Sequence, residues 1–198
     1  MRKVKLFDFD GVLFDSMSAQ YRAACAVLYE LGFQAKSFWS YSHAKNLPDW
    51  FREHGTNMND AGLRKLFFKH YNTEECELLD GVLEMLKSLR LRGFSLVIVS
   101  ANPLGDTCEK LKRFDIAHFF EGVYGGCYQK ADTIRDICFR ACVHPSGVYF
   151  TGDMYSDIRC GRDAGVRMIY FATHPDSPYI NEADHYITHI RQLPEIVK

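Results

Sequence analysis

From residue 80 onward, short apolar runs alternate with longer segments of helical periodicity. Residues 94–99 are almost continuously apolar, which is the pattern of a strand covered by helices on both faces. Residues 148–151 and 166–171 form two further runs of this kind. Strands that alternate with helices predict an α/β fold with a doubly wound, Rossmann-like parallel sheet.

The N-terminal part of the chain adds one strand and then departs from this alternation. Residues 4–9 predict a buried strand, whereas residues 16–79 contain only helical segments, at about 16–31 and 59–71, with an irregular stretch at 33–58. We interpret residues 1–15 and 80–198 as one α/β catalytic core, into which residues 16–79 are inserted as a helical cap. Extra helices packed directly on the sheet are the alternative.

Composition excludes several classes of protein. Apolar residues make up 47% of the 198 residues and the formal net charge is −1, so no basic tract favours nucleic acid or a membrane surface as a partner. No apolar run approaches the ~20 residues of a membrane helix, and the opening residues lack the pattern of a signal peptide. The seven cysteines form no CxxC pair, so we expect reduced thiols in a soluble, cytoplasmic protein.

Four small polar clusters lie at or near predicted strand ends, which is where ligands bind in sheets of this kind. They are Asp8-Phe9-Asp10-Gly11, Ser100-Ala101-Asn102, Lys130, and Gly152-Asp153 with Asp157. Carboxylates gathered at one edge repel each other, so they need a cation between them or raised pKa values. Ligands that are all oxygen favour a hard ion such as Mg²⁺. Ser100, the helix start at Asn102-Pro103 and Lys130 provide donors for a phosphate dianion.

Each of these residues also has an ordinary structural explanation. Asn102 is a suitable N-cap with Pro103 at the first helical position. Lys130 opens a predicted helix, where a lysine is usually solvated, and Asp157 is favourable near a helix N-terminus. The order of the clusters and their shared context nevertheless favour a phosphate-handling active site.

The four clusters together resemble the motifs of haloacid dehalogenase-like phosphatases. Residues 8–16 (DFDGVLFDS) resemble the first motif, Ser100-Ala101-Asn102 the second, Lys130 the third, and residues 152–157 (GDMYSD) the fourth. Ala164-Gly165 also suits the family, whereas Ala131 replaces the proline that often follows the third-motif lysine.

The resemblance implies a role for each motif residue. Asp8 would be the nucleophile that forms an aspartyl-phosphate, and Asp10 would be the general acid and base. The implied Mg²⁺ ligands are Asp8, Asp153, Asp157 and the backbone carbonyl of Asp10. The implied phosphate-binding residues are Ser100, Ala101, Asn102 and Lys130. An aspartate two residues after the nucleophile favours phosphate esters over carbon–halogen or carbon–phosphorus bonds.

Caps in this family select the substrate. The polar and aromatic candidates here are Tyr41, His43, Lys45, Asn46, Asp49 and Trp50, of which His43, Lys45 and Trp50 are our predicted selectivity residues. Packing of Trp50 inside the cap and solvation of Lys45 are the ordinary alternatives. The predicted function is Mg²⁺-dependent hydrolysis of a small phosphorylated metabolite. A sugar-phosphate mutase and a catalytically idle binding or regulatory protein on the same fold are the alternatives, and the intact carboxylate set argues against the idle protein.

Overall fold

The computed structural model describes residues 3–71, 76–172, 174 and 176–198, apart from the side chain of Trp39. The strands in chain order are β1 (Lys3–Phe7), β2 (Phe14–Asp15), β3 (Glu77–Leu78), β4 (Phe94–Val99), β5 (Phe120–Tyr124), β6 (Tyr149–Gly152), β7 (Arg167–Phe171) and β8 (His185–Ile187). The helices are α1 (Met17–Glu30), α2 (Phe38–Ser42), α3 (Leu47–Arg52), α4 (Asp60–Tyr71), α5 (Val82–Leu91), α6 (Leu104–Arg113), α7 (Lys130–Arg140), α8 (Tyr155–Ala164) and α9 (Leu193–Ile196).

Six strands form one parallel sheet in the order β5-β4-β1-β6-β7-β8. The central strand β1 is in register with both neighbours, so that Phe7 lies opposite Ile98 of β4 and Thr151 of β6. All carboxyl ends therefore meet at the same edge of the sheet. This confirms the predicted α/β fold with a parallel sheet.

The sheet is covered on both faces, as the apolar run of β4 predicts. All six residues of β4 are buried, and its five apolar residues are divided between two apolar clusters on opposite faces. Leu96 and Ile98 pack with Phe7 on one face, whereas Val97 and Val99 pack with Leu6 on the other. This alternation follows from the period-two geometry of a strand, and it fixes the register of the central strands.

Helices α1–α4 form a segment that is inserted between β1 and the rest of the sheet. The small antiparallel ribbon β2-β3 joins the two ends of this segment, pairing Phe14 with Leu78 and Asp15 with Glu77. The predicted cap boundary at 15/16 directly follows β2, and the one at 79/80 lies one residue beyond the end of β3. Among the described residues, no helix is long and apolar enough to cross a membrane.

Three local predictions differ from the structure. Residues 16–79 are not helical throughout, because strand β3 lies within them. Residues 33–58 contain the short helices α2 and α3 instead of an irregular chain, and the Asn46 side chain caps α3 by accepting a hydrogen bond from the Asp49 amide at 2.9 Å. The predicted helix start at Asn102 was wrong because α6 begins at Leu104, with Pro103 at its N-cap. The Asn102 side chain donates a hydrogen bond to Asp10 instead, so it does not cap the helix.

Candidate active site

Three neighbouring strands place the predicted clusters side by side. Asp8 follows β1, Ser100 follows β4 and Asp153 follows β6, and these strands are adjacent in the order β4-β1-β6. The Asp8 amide donates to the Thr151 carbonyl at 2.8 Å, which continues the sheet pairing to the carboxylate. The Ser100 amide donates to the Tyr124 carbonyl at 2.8 Å in the same way. The sheet therefore fixes the backbone of both residues.

Asp8, Asp153 and Asp157 form a buried carboxylate cluster. One oxygen of each lies within 4.8 Å of the others, and all three residues are less than a tenth exposed. Burial raises the pKa of Asp8 to about 7, even though the charge of Lys130 opposes the shift. Burial and the charges of Asp157 and Asp8 hold the pKa of Asp153 well above its usual range. Buried carboxylates repel each other, and a cation between them relieves this repulsion. Because the ligands are all oxygen, a hard divalent cation such as Mg²⁺ fits the cluster.

Lys130 bridges two of these carboxylates. Its Nζ lies 2.6 Å from Asp8 Oδ2 and 2.7 Å from Asp157 Oδ1, and the residue is 7% exposed. Burial opposes the charged form, but the charges of Asp157 and Asp8 outweigh it and raise the pKa of Lys130 above its usual range. Lys130 is therefore a buried cation beside Asp8 and not the solvated lysine of the alternative explanation.

Two glycines allow the loops to approach the carboxylates closely. Gly11 has a φ of +69°, and a Cβ at this position would lie 1.9 Å from Asp153 Oδ2. A Cβ on Gly152 would lie 2.4 Å from Cβ of Asp157. Any side chain at either position would displace a carboxylate of the cluster, so these glycines are part of the construction of the site.

Asp10 lies beside the cluster and has its own hydrogen-bond partners. The side-chain Nδ2 of Asn102 donates to Asp10 Oδ2 at 2.6 Å, and the hydroxyl of Tyr71 in α4 donates to Asp10 Oδ1. Tyr71 is fully buried, and burial together with the charge of Asp10 raises its pKa well above the usual range, so the phenol stays protonated. Lys110 in turn donates to the Tyr71 oxygen at 3.4 Å. The sequence did not predict Tyr71, because it appears there only as an aromatic residue at a helix end.

The loop after β4 is held by the Ser100 hydroxyl and by backbone amides of the segment after β5. Ser100 Oγ accepts a hydrogen bond from the Asn102 amide at 3.0 Å, and the Asn102 carbonyl accepts one from the Gly126 amide at 2.6 Å. The Cys127 amide donates to the Ser100 carbonyl at 2.9 Å. Ser100 and Asn102 are nearly fully buried, so this loop presents a rigid edge to the site.

A cavity of about 150 Å³ lies between this edge of the sheet and the inserted helices. The core residues predicted for the site all line it: Asp8, Asp10, Ser100, Ala101, Asn102, Lys130, Asp153 and Asp157. The inserted segment contributes Gln20, Tyr41, Ala44, Asn46, Leu47, Arg64, Phe67 and Phe68. The sheet edge and the helices thus enclose one site.

The predicted selectivity residues lie elsewhere in the inserted segment. Among the described residues that line the cavity, Tyr41 and Asn46 are present but His43, Lys45 and Trp50 are not. The Trp50 ring is fully buried 5.1 Å from the ring of Tyr41, which agrees with its packing alternative. Lys45 is exposed, and the His43 carbonyl accepts a hydrogen bond from the Tyr179 hydroxyl at 3.0 Å. Arg64, which does line the cavity, was not predicted, because it looks like one of several cations on an amphipathic helix.

Comparison with curated proteins places several phosphatases near this chain. A phosphoglycolate phosphatase from Mannheimia succiniciproducens is 30% identical over an alignment of 131 residues, and the match covers 59% of this chain and 58% of that protein. A phosphoglycolate phosphatase from Pseudomonas putida is 27% identical over an alignment of 185 residues, and the match covers 84% of this chain and 68% of that protein. The aligned part of this chain thus spans a little under three fifths of the Mannheimia relative.

Solved structures share the whole fold at low sequence identity. A haloacid dehalogenase-like family hydrolase from Streptococcus pneumoniae has a TM-score of 0.83 and 19% identity, covering 100% of this chain and 99% of that one. CbbY from Rhodobacter sphaeroides in complex with xylulose-(1,5)-bisphosphate has a TM-score of 0.73 and 18% identity, covering 98% and 96%. The sequence pattern of one family, described as Haloacid dehalogenase-like hydrolase, matches residues 5–171, which include all four motifs. The chain therefore belongs to the haloacid dehalogenase-like hydrolase family.

Proposed function

We propose that this protein hydrolyses a small phosphate monoester through an aspartyl-phosphate on Asp8, in a reaction that needs Mg²⁺. The observation that carries the proposal is the Asp8 carboxylate, which is buried beside the Lys130 ammonium at 2.6 Å and lines the cavity under the inserted helices. A carboxylate so placed has a cation next to it that offsets its repulsion of an incoming phosphate dianion.

Asp8, Asp153 and Asp157, with the backbone carbonyl of Asp10, would hold the metal ion. Oxygens of the three carboxylates lie within 4.8 Å of one another, and burial raises the pKa values of Asp8 and Asp153. Bound there, Mg²⁺ supplies positive charge that stabilises the phosphoryl oxygens.

Asp8 and Asp10 have different roles in the two chemical steps. An Asp8 oxygen attacks phosphorus and the bond to the leaving oxygen breaks, while Asp10 gives a proton to that oxygen. Asp10 then takes a proton from a water molecule that attacks the phosphorus, which releases phosphate and restores Asp8. Lys130, Ser100 and the loop through Asn102 hold the phosphoryl group in both steps.

The hydrogen bonds to Asp10 support this division of roles. Both of its oxygens accept hydrogen bonds, from Tyr71 and from Asn102, so the side chain has a fixed position next to the nucleophile's loop. Nδ2 of Asn102 donates to Oδ2 of Asp10, and the Tyr71 hydroxyl on the other oxygen can either donate or accept. Tyr71 can therefore remain a partner of Asp10 whether or not Asp10 carries the proton.

The substrate that we propose is a small phosphorylated metabolite, and the helices of residues 16–79 are its cap. The names of the curated relatives make 2-phosphoglycolate a first compound to test. Residues of the inserted segment that line the cavity, among them Gln20, Tyr41 and Asn46, are in position to contact the part of the substrate beyond the phosphate.

A turnover assay with product analysis tests the proposal. Wild-type protein is incubated with Mg²⁺ and a panel of phosphate monoesters that includes 2-phosphoglycolate, sugar phosphates and p-nitrophenyl phosphate. We expect release of inorganic phosphate that EDTA abolishes and Mg²⁺ restores, and no release by the Asp8→Asn variant. Isomerised sugar phosphate without free phosphate would identify a mutase instead, and undiminished turnover by Asp8→Asn would refute the assigned nucleophile.

A further inference from the structure

Arg64 extends from the inserted segment to the core at the cavity. It lies in the second turn of α4, its side chain is 21% exposed, and it lines the cavity with the catalytic carboxylates. Its guanidinium lies 4.5 Å from the centre of the Tyr128 ring, which belongs to the core segment between β5 and α7. This cation–π contact restricts where the guanidinium can go.

Arg64 differs from the other charged side chains around the cavity in what it is paired with. Among the described residues that line the cavity, the charged ones are Asp8, Asp10, Asp153, Asp157, Lys130 and Arg64. Lys130 is already held between Asp8 and Asp157 at 2.6 and 2.7 Å. Arg64 is thus the cation in this lining that the phosphoryl chemistry does not occupy, and it comes from the helical side.

The ion pair that Arg64 makes is weak. Its Nη2 lies 3.9 Å from Asp60 Oδ2, beyond hydrogen-bond distance, and Asp60 is 48% exposed. The other oxygen of Asp60 accepts a hydrogen bond from Arg52. Much of the guanidinium's hydrogen-bonding capacity is therefore left for a ligand, on a side of the cavity that also has the apolar side chains of Phe67 and Phe68.

A guanidinium in such a place suits a planar or tetrahedral oxyanion. Its five donors form a fork that matches a carboxylate or phosphate group, and partial burial strengthens the pairing. We propose that Arg64 binds a second anionic group on the leaving-group side of the substrate, so that this protein prefers phosphate monoesters that carry a further carboxylate or phosphate. This inference rests on the proposed phosphatase function, and it names the substrate class and the residue that selects it.

Arg64 has a competing role as a purely structural link, in which the Tyr128 contact only holds the inserted segment against the core. The two roles differ in what they predict for matched substrates. A selectivity residue affects the substrates that carry the second charge, whereas a structural link affects all substrates alike. The comparison therefore needs pairs of esters that differ in that charge and little else.

Kinetics on matched pairs form the first part of the test. 2-Phosphoglycolate is compared with 2-hydroxyethyl phosphate, and fructose 1,6-bisphosphate with fructose 6-phosphate, in wild type, Arg64→Ala and Arg64→Lys. We expect Arg64→Ala to lower kcat/KM for one of the doubly anionic esters by about tenfold to a hundredfold, mainly through KM. The matched ester without the second anionic group should change by no more than about threefold, and Arg64→Lys should recover part of the loss. The control is Lys65→Ala, which removes the next cation of α4 from an exposed position.

The pair that responds identifies the second group as a carboxylate or a phosphate. Equal losses on all four esters, or no change in the preference for either doubly anionic ester, would overturn the inference while leaving the phosphatase function in place.

Binding provides a readout that does not depend on turnover. In an Asp8→Asn background, calorimetric titration with 2-phosphoglycolate, fructose 1,6-bisphosphate and inorganic phosphate separates the two anionic groups of the ligand. We expect Arg64→Ala to weaken binding of the responding doubly anionic ligand by about tenfold or more and to leave inorganic phosphate nearly unchanged. If this difference is found and no ester is hydrolysed by wild type, the proposed function fails and the anion site stands. If Arg64→Ala binds all ligands as its Asp8→Asn parent does, the inference on Arg64 is wrong.

Discussion

Tyr71, at the end of α4, donates a hydrogen bond to Oδ1 of Asp10 in the loop after β1. One partner belongs to the inserted helices and the other to the sheet edge, so this bond connects the position of the helices to the general acid and base that we propose. On the core side, Nζ of Lys110 in α6 donates a hydrogen bond to the Tyr71 hydroxyl oxygen at 3.4 Å. Docking of the inserted segment and orientation of Asp10 are therefore linked through one hydroxyl group.

We predict that Tyr71→Phe slows the hydrolysis of an alkyl phosphate by about tenfold or more, because a hydrogen bond to a charged group contributes roughly 1.5–3 kcal/mol. The first step with p-nitrophenyl phosphate should slow much less, since its leaving group needs little protonation. Single-turnover kinetics on both esters measures the difference. The matched control is Tyr21→Phe, whose hydroxyl donates to the Lys36 carbonyl inside the inserted segment. An equal loss on both esters would point to a structural role for Tyr71.

The division of labour between Asp8 and Asp10 predicts opposite behaviour of two variants. Asp8→Asn should form no covalent intermediate with any substrate. Asp10→Asn should fail on alkyl phosphates, but with p-nitrophenyl phosphate it should release a burst of nitrophenolate and accumulate phospho-enzyme, because the second step still lacks its base. Rapid quench with mass analysis of the protein detects the species. A phosphate found on Ser100, or normal turnover of alkyl phosphates by Asp10→Asn, would contradict the assignment.

Lys130→Ala should lower kcat by about a hundredfold or more, which is the usual loss when a buried charge stabiliser is removed from an active site. The variant leaves Asp8 and Asp157 without the cation that lies 2.6 and 2.7 Å from them. Lys87→Ala, which removes an exposed lysine from α5, is the control. Steady-state kinetics at saturating Mg²⁺ gives the comparison, and a Lys130→Ala enzyme within about twofold of wild type would behave like one that has lost a solvated lysine.

Strand ends could be predicted from the sequence because the information is local. The apolar run of β4 and the polar residues after it define both the strand and the edge where Ser100 lies. Parallel pairing then brings Ser100 near Asp8 and Asp153, whatever the details of the connecting helices. The α/β fold and the carboxylate cluster therefore follow from short stretches of sequence.

The contribution of the inserted segment depends on information that is not local. The periodicity of α4 shows which of its residues face inward, but not what they meet there, so Tyr71 and Arg64 were not distinguished from core and surface residues. Trp50 was predicted at the substrate, but its ring fills the interior of the segment at 0% exposure. The angle at which the helices dock decides these contacts, and the sequence pattern does not encode that angle.

Lys5 gives a prediction about stability. It is fully buried in β1, its Nζ donates to Thr151 Oγ1 at 2.6 Å and to the Leu6 carbonyl at 2.7 Å, and burial lowers its pKa well below the usual range. Between that lowered pKa and the ordinary pKa of a lysine, near 10.5, the unfolded chain carries a proton on Lys5 that the folded protein lacks. The unfolded state then binds more protons, so the free energy of unfolding contributed by Lys5 rises with pH across this window.

We therefore expect the free energy of unfolding of wild type to rise from pH 7 to pH 10 relative to that of Lys5→Met, which keeps a long side chain but has no titrating amine. Denaturant titrations of both proteins at several pH values measure this difference, and subtraction removes the contribution of every other group that titrates alike in the two proteins. Lys3→Met, at the exposed first residue of the same strand, is the control and should follow wild type. Parallel pH profiles for wild type and Lys5→Met would mean that the Lys5 amine is equally protonated in the folded and unfolded states. That result would contradict the lowering of its pKa by burial.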